Sequence, residues 1–166
     1  MATEDPNTPL AVHAVIFVHA PFGLASLGVR RATPTLDTGQ TEWEITPGGG
    51  KDPDDPCLCV TLMRELEEEL GCPRSVLERM LSSFGSKRVW IPGRPRPVVL
   101  AVLQMEQRAA LRVIRNFKPN SEASALALIP WGNTVVFHRG GLEPVRKVQL
   151  DAFAGIAHNY YLGLRE

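Results

Sequence analysis

The stretch GKDPDDPCLCVTLMRELEEELGC, residues 50–72, joins a glycine-rich turn to the clearest helix signal in the chain. Asp55 is of a type favoured at helix N-caps, and Pro56 is of a type favoured in the first helical turn. Neither Gly nor Pro interrupts residues 57–70, and Gly71 stands where a C-terminal cap would lie. The pattern predicts a helix that begins at Asp55 and ends at Gly71.

One face of this helix is predicted to be acidic, because Glu65, Glu68 and Glu69 have the i, i+3, i+4 spacing of neighbours on a helix. Like charges at this spacing destabilise a helix by about 0.2–0.5 kcal/mol per pair. A divalent cation would remove the repulsion, whereas charge runs on helices usually face water. On spacing alone, a metal site and a solvated face both remain open. The adjoining stripe is apolar and comprises Cys59, Leu62, Met63, Leu66 and Leu70.

The rest of the chain alternates between strand and helix signals. The segment PGGGKDPDDP, residues 47–56, is predicted to have no regular element, and its glycines allow close backbone approach to a ligand. A C-terminal helix is predicted over 143–164, beginning near Pro144. The element order indicates an α+β or α/β/α sandwich. No linker divides the sequence, so one domain is predicted over 1–166. The main predicted strands are 11–20, 24–32, 42–46 and 98–105.

Composition narrows the class of protein. The 166 residues carry zero formal net charge, so nothing global indicates binding to nucleic acid or to an anionic membrane. No apolar run has the length of a membrane span, and the first residues contain acids where a signal peptide is basic. Three cysteines do not form a disulfide framework and are typical of a reducing compartment. A cytoplasmic location without a membrane partner is therefore predicted.

The glycine turn and the helix together resemble the Nudix box. That motif runs Gly, five residues, Glu, seven residues, then Arg-Glu-apolar-any-Glu-Glu-any-Gly-apolar. In this chain Gly50 opens it, Arg64 begins its second half, and Gly71 falls in register near its end. The preceding PGG is also typical of the family. The single departure is Pro56, which stands where the first Glu is expected; Asp54 and Asp55 both remain open as substitutes.

The resemblance implies a Nudix α/β/α sandwich with a mixed sheet. It also implies a Mg²⁺- or Mn²⁺-dependent pyrophosphohydrolase that cleaves a phosphoanhydride in a nucleoside diphosphate linked to another moiety. Bound cations neutralise the phosphate oxygens, which otherwise repel a nucleophile. A homodimer is compatible with the resemblance. Two alternatives stay open: a hydrolase of diphosphoinositol or dinucleoside polyphosphates, and a catalytically silent binding module.

The resemblance also assigns roles to individual residues. The metal ligands are expected to be Glu65, Glu68 and Glu69, one of which acts as base, with a backbone carbonyl at Gly50 as a further ligand. Arg64 is expected to orient the glutamates and belongs to the catalytic set.

Candidate residues also lie outside the box. Arg30 and Arg31, at the end of the second strand, and Lys51, in the turn, are candidate phosphate-binding residues. Glu122 is a further candidate base, because some relatives place a loop carboxylate ahead of the late strand.

Overall fold

The computed structural model describes residues 5–32, 43–131, 135–138, 141–144 and 152–165. Groups of strands alternate with one or two helices along the chain, as the sequence predicts. The strands are β1 (Ala11–Ala20), β2 (Gly23–Arg31), β3 (Trp43–Glu44), β4 (Gly48–Gly50), β5 (Leu81–Val89), β6 (Val98–Met105), β7 (Ala123–Pro130), β8 (Val135–His138) and β9 (Gly141–Pro144). The helices are α1 (Leu58–Leu70), α2 (Arg74–Met80), α3 (Gln107–Asn116) and α4 (Ala152–Arg165).

One mixed sheet organises these elements, in the order β5-β6-β1-β2-β7-β8-β9. The pair β1–β6 is parallel, with Val12 opposite Val99, and every other pair among the described strands is antiparallel. Two strands share one edge of β1. Strand β4 pairs with its first residues, Ala11–His13, and β2 pairs with its last, Phe17–Ala20. The glycine turn is therefore held at the centre of the sheet, beside the start of β1.

Helices cover both faces of the sheet. On one face, α1 contributes Leu62, Leu66 and Leu70 to the larger core cluster, and α3 contributes Val113 and Ile114. On the other face, α4 contributes Ala157 and Tyr161, both fully buried. The arrangement confirms the predicted α/β/α sandwich with a mixed sheet. Among the described residues, no helix is long and apolar enough to cross a membrane.

The boundaries of α1 agree with the sequence at one end and differ at the other. Gly71 ends the helix with a φ of 69°, a left-handed conformation that glycine adopts at little cost. The helix begins at Leu58, with Cys57 extended at the cap and no side-chain cap hydrogen bond. The prediction that Asp55 caps the helix and Pro56 lies in its first turn is therefore wrong. The physical reason is that the Asp55 carboxylate has other partners, described below.

Three further predictions are wrong. Gly48–Gly50 forms strand β4, although glycine alone gives no strand signal. The C-terminal helix does not begin near Pro144, because Gly141–Pro144 forms β9 and pairs with β8; α4 begins at Ala152. Finally, the three cysteines are interpreted from the sequence as typical of a reducing compartment, whereas Cys57 and Cys59 form a disulfide, with their Cα atoms 5.4 Å apart. Cys72 is free.

Candidate active site

Helix α1 brings the acidic residues of the sequence motif to one place beside the glycine strand. The side chain of Glu65 is 15% exposed and that of Glu68 is 47% exposed. Glu69 is partly buried, and Glu67 is exposed. The core stripe of α1 faces the sheet, so the neighbouring glutamates point along the sheet surface toward β4.

Two glycines of β4 allow this approach, each for a different reason. A Cβ on Gly48, whose φ is 150°, would lie 2.2 Å from the carbonyl oxygen of Val12 in β1. A Cβ on Gly49 would lie 2.7 Å from the carboxylate of Glu65. The Gly48 N–H also donates to Oε2 of Glu69, at 3.2 Å. Any other side chain would therefore separate β4 from β1 or push the Glu65 carboxylate away.

Arg64 lies between two groups of carboxylates. Its Nη1 is 2.9 Å from Oε1 of Glu65 and 3.8 Å from Oε1 of Glu68. Its Nη2 is 2.9 Å from Oδ2 of Asp55 and 3.3 Å from Oδ2 of Asp52. The hydrogen bond to Asp55 is the main reason that the pKa of Arg64 lies above its usual range. Arg64 therefore links the loop before α1 to the acidic face of the helix.

Asp55 anchors this link. Its Oδ2 accepts hydrogen bonds from the Asp52 N–H, the Thr61 hydroxyl and Nη2 of Arg64, each at 2.9 Å. Asp55 and Thr61 are both buried. The Arg64 contact, followed by the Asp52 N–H, lowers the pKa of Asp55 to about 2, so the carboxylate stays ionised. With Pro56 unable to contribute a carboxylate, Asp55 supplies one to the motif arginine from one position earlier.

Glu69 has the most perturbed carboxyl group of the cluster. Burial, followed by the negative charges of Glu65, Glu44 and Glu122, raises its pKa from 4.5 to about 8, against the Gly48 N–H. Burial is also the main cause of the raised pKa of Glu65, which the Arg64 charge opposes. Both raised pKa values therefore reflect burial first and neighbouring carboxylates second.

Two of the residues that act on Glu69 come from distant parts of the chain. Glu44 lies on β3, and its position in the alternating EWEIT segment gave no functional signal. Glu122 precedes β7, where its N–H donates to Oδ1 of Asn120, at 2.9 Å. The Asn120 side chain in turn donates to the backbone carbonyl of Glu68, at 3.2 Å. This turn therefore fixes the loop before β7 against α1, next to the acidic cluster.

The candidate phosphate-binding residues lie around this cluster with partners of their own. Nε of Arg30 donates to the Ser124 hydroxyl at 2.9 Å, and its guanidinium lies 5.6 Å from the ring centroid of Trp43. Nη1 of Arg31 is 3.1 Å from Oε1 of Glu44. Lys51 is partly buried, and its backbone N–H donates to the carbonyl of Leu10.

Oxygen donors dominate the cluster, which suits a hard divalent cation such as Mg²⁺. In the described part of the chain, however, no three Asp, Glu, His or Cys side chains form a preformed metal-binding group. The contacts explain this, because Arg64 holds Glu65 and the Gly48 N–H holds Glu69. The carbonyl of Gly50 is itself 3.4 Å from Nη2 of Arg64. Metal binding would require these side chains to exchange their present partners for the ion.

The raised pKa of Glu69 predicts a pH-dependent stability. Between pH 4.5 and about 8 the folded protein retains a proton that the unfolded chain has released, so raising the pH through this range destabilises the fold. Replacing Glu69 with Gln removes that effect. In EDTA, the Tm advantage of Glu69→Gln over the native protein should grow from pH 5 to pH 9. The exposed Glu67→Gln variant is the matched control, and parallel Tm curves for Glu69→Gln and the native protein would contradict the prediction.

Comparisons with known proteins agree with this architecture. Residues 9–131 match the model of the NUDIX domain. No curated protein sequence gives a significant match.

Solved structures share the fold at low sequence identity. An Ap4A hydrolase of C. elegans, solved as a binary complex, has a TM-score of 0.61 and 14% identity, covering 93% of this chain and 98% of that one. The Nudix hydrolase RenU of M. smegmatis has a TM-score of 0.57 and 16% identity, covering 93% and 86%. A MutT protein of Methanosarcina mazei has a TM-score of 0.52 and 18% identity, covering 99% and 100%. The matched domain spans strands β1 to β7, including the glycine strand β4, and the acidic helix α1, and the chain belongs to the Nudix family.

Proposed function

We propose that this protein is a Mg²⁺- or Mn²⁺-dependent pyrophosphohydrolase that cleaves a phosphoanhydride in a nucleoside diphosphate linked to another moiety. The observation that carries the proposal is the environment of Glu69. Burial and three carboxylates, those of Glu65, Glu44 and Glu122, together raise its pKa to about 8. Carboxylates that converge beside a glycine strand form a site suited to a divalent cation.

The donor set fits such a cation. Glu65, Glu68 and Glu69 are the proposed ligands, with the backbone carbonyl of Gly50 as a further one. When bound, the cation supplies positive charge to the phosphate oxygens and makes a nearby water more acidic. One of the glutamates, or Glu122 from the loop before β7, takes a proton from the attacking water.

The other residues of the site position these groups. Arg64 contacts Glu65 directly, so it fixes the orientation of that proposed ligand, and Asp55 fixes Arg64. Arg30 and Arg31 end β2 beside the cluster, and Lys51 follows β4. Their positive charges are proposed to meet the outer phosphates of the substrate, since arginine binds phosphate through two parallel N–H groups.

The activity is tested with a substrate panel in Mg²⁺ and in Mn²⁺. The panel covers ADP-ribose, nucleotide sugars, dinucleoside polyphosphates, oxidised nucleoside triphosphates, capped RNA and diphosphoinositol polyphosphates. Turnover that EDTA abolishes is the expected result, and the preferred substrate separates the nucleotide class from the diphosphoinositol class. Absence of turnover on the whole panel would instead favour a silent binding module.

Removing two proposed ligands should abolish hydrolysis without unfolding the protein. The double variant Glu68→Gln/Glu69→Gln keeps side-chain volume but loses two carboxylates, so kcat/KM should fall at least about 100-fold. Glu67→Gln, exposed on the same helix, is the matched control and should retain native activity. Normal turnover by the double variant, with circular dichroism showing a native fold for both, would disprove the assignment.

Asp55 is predicted to act as a positioning residue in place of the missing motif glutamate. Asp55→Asn weakens the contact that holds Arg64 and should lower metal affinity or kcat/KM by about 10-fold, the usual scale for residues that orient metal ligands. Asp54→Asn is the matched control, because Asp54 is exposed. The affinity is measured by titration with Mn²⁺, followed by its paramagnetic effect on water relaxation. Equal affinities together with equal kcat/KM for the two variants would contradict the role of Asp55.

The two neighbouring glycines of β4 provide a sharper geometric test. A Cβ at position 49 displaces the Glu65 carboxylate, whereas a Cβ at position 50 comes no closer than 3.9 Å to the carbonyl of Leu10. Gly49→Ala should therefore weaken Mn²⁺ binding by about 10-fold with little loss of Tm, because a flexible side-chain end can move. Gly50→Ala should bind Mn²⁺ normally. Similar Mn²⁺ affinities for both variants would show that the approach of Gly49 to Glu65 is unimportant.

A further inference from the structure

A polar concavity, called the cationic concavity below, lies away from the acidic cluster, between α2, α3 and the adjoining ends of β5 and β6. Its volume is about 490 Å³, within the roughly 300–1,000 Å³ typical of small-molecule sites. Three arginines from two helices line it. Arg79 comes from the last turn of α2, and Arg108 and Arg112 come from α3. Ser82 and Glu106 add further polar groups, whereas the side-chain oxygen of Gln104, another lining residue, accepts a hydrogen bond from the Tyr161 hydroxyl.

The charge in this concavity is strongly positive for a chain whose formal net charge is zero. Three guanidinium groups, which stay charged at any relevant pH, face a single lining carboxylate, that of Glu106. Nε of Arg79 donates to the backbone carbonyl of Ser75 at 3.3 Å. Within the described ranges, none of the three arginines has a carboxylate oxygen within 4 Å. Their charges are therefore available to a ligand.

The position of the concavity separates it from the acidic cluster. Strands β1 and β6 run parallel, and Val12, near the start of β1, pairs with Gly49, which lies against Glu65. Gln104, which lines the concavity, pairs with Phe17, five positions further along β1. At about 3.3 Å per residue, the two sites lie about 17 Å apart along the sheet.

We propose that this concavity binds a soluble phosphorylated small molecule at a site distinct from the acidic cluster. Arg108 and Arg112 are one helical turn apart, about 6 Å along the axis, so they can contact different oxygens of one ligand. Arg79 approaches from the other helix. Such an arrangement suits phosphate, which accepts two parallel N–H groups from each guanidinium. The start of α3, which has no side-chain cap, adds a smaller favourable field.

Inorganic pyrophosphate is the probe for this site, titrated by calorimetry in EDTA so that no divalent cation draws it to the glutamates. The native protein should bind one equivalent, and Arg108→Ala/Arg112→Ala should bind at least about 10-fold more weakly. Arg79→Gln, on the other helix, should also weaken binding. Arg115→Ala, on α3 but outside the lining residues, is the matched control for loss of charge alone.

Several results would overturn the proposal: no binding by the native protein, an equal loss in Arg115→Ala, or a loss in Glu68→Gln/Glu69→Gln. Retention of binding in that glutamate variant is the expected result, and it holds whether or not the protein hydrolyses pyrophosphates. Sedimentation with phosphatidic acid vesicles tests the other source of phosphate. Vesicle binding that requires Arg108 and Arg112 would make the ligand a lipid headgroup and exclude a soluble one. Because the arginines are exposed, unchanged Tm values should accompany every arginine variant.

Discussion

The close contact between the β4 backbone and the carboxylates of α1 is the constraint on which the site depends. Gly48 lies against the Val12 carbonyl on one side and donates to Glu69 on the other. Gly49 lies against Glu65. Residues at these two positions have no room for a Cβ atom. The glycine run is therefore required by packing as much as by conformational freedom. It allows a strand of the sheet and a helix to share one polar junction.

The electrostatics of this junction follow from how few cations it contains. Arg64 contacts carboxylates both in the loop before α1 and within α1. Its hydrogen bond to Asp55 is the main reason that the pKa of this arginine is raised. The negative charges of Glu65, Glu44 and Glu122 act on Glu69. One end of the cluster is consequently paired with Arg64, while the pKa of Glu69 at the other end is raised by burial and by these negative charges. Burial strengthens this difference, because it reduces solvent screening of the carboxylates.

The sequence predicted the parts of the molecule that depend on local pattern. The end of α1 at Gly71 and the buried positions Leu62, Leu66 and Leu70 follow from spacing within one segment, whereas Cys59, predicted in the same apolar stripe, is exposed. The element order indicated the sandwich, and the motif indicated the family. The start of α1 was predicted wrongly because Asp55 has the chemistry of an N-cap, but its buried carboxylate binds Thr61 and Arg64 instead. Strand β4 was missed because it forms through pairing with β1 rather than through the propensity of glycine.

Contributions from distant segments could not be predicted from local pattern, and Glu122 was a candidate only through the family resemblance. Glu44 acts on Glu69 only because β3 pairs with β2. The arginines of the cationic concavity come together only because α2 and α3 lie side by side there. The disulfide between Cys57 and Cys59 was missed for a different reason, since it depends on the extended backbone at Cys57. The roles of Glu65, Glu68, Glu69, Arg64 and Gly50 in metal binding and catalysis, and those of Arg30, Arg31 and Lys51 in substrate binding, stay predictions. The structure describes only their placement.

The parallel pairing of β1 with β6 has a consequence for how the molecule assembles. Residue 12 pairs with residue 99, so closing this pair requires the chain to bring together segments separated by more than half of its length. Contacts of such high order carry a large loop-closure entropy and slow the folding of domains that depend on them. The start of β1 holds the glycine strand, and the end of β6 lines the cationic concavity. The β1–β6 pair therefore carries this entropic cost and also places the acidic cluster and the cationic concavity toward opposite ends of adjacent strands.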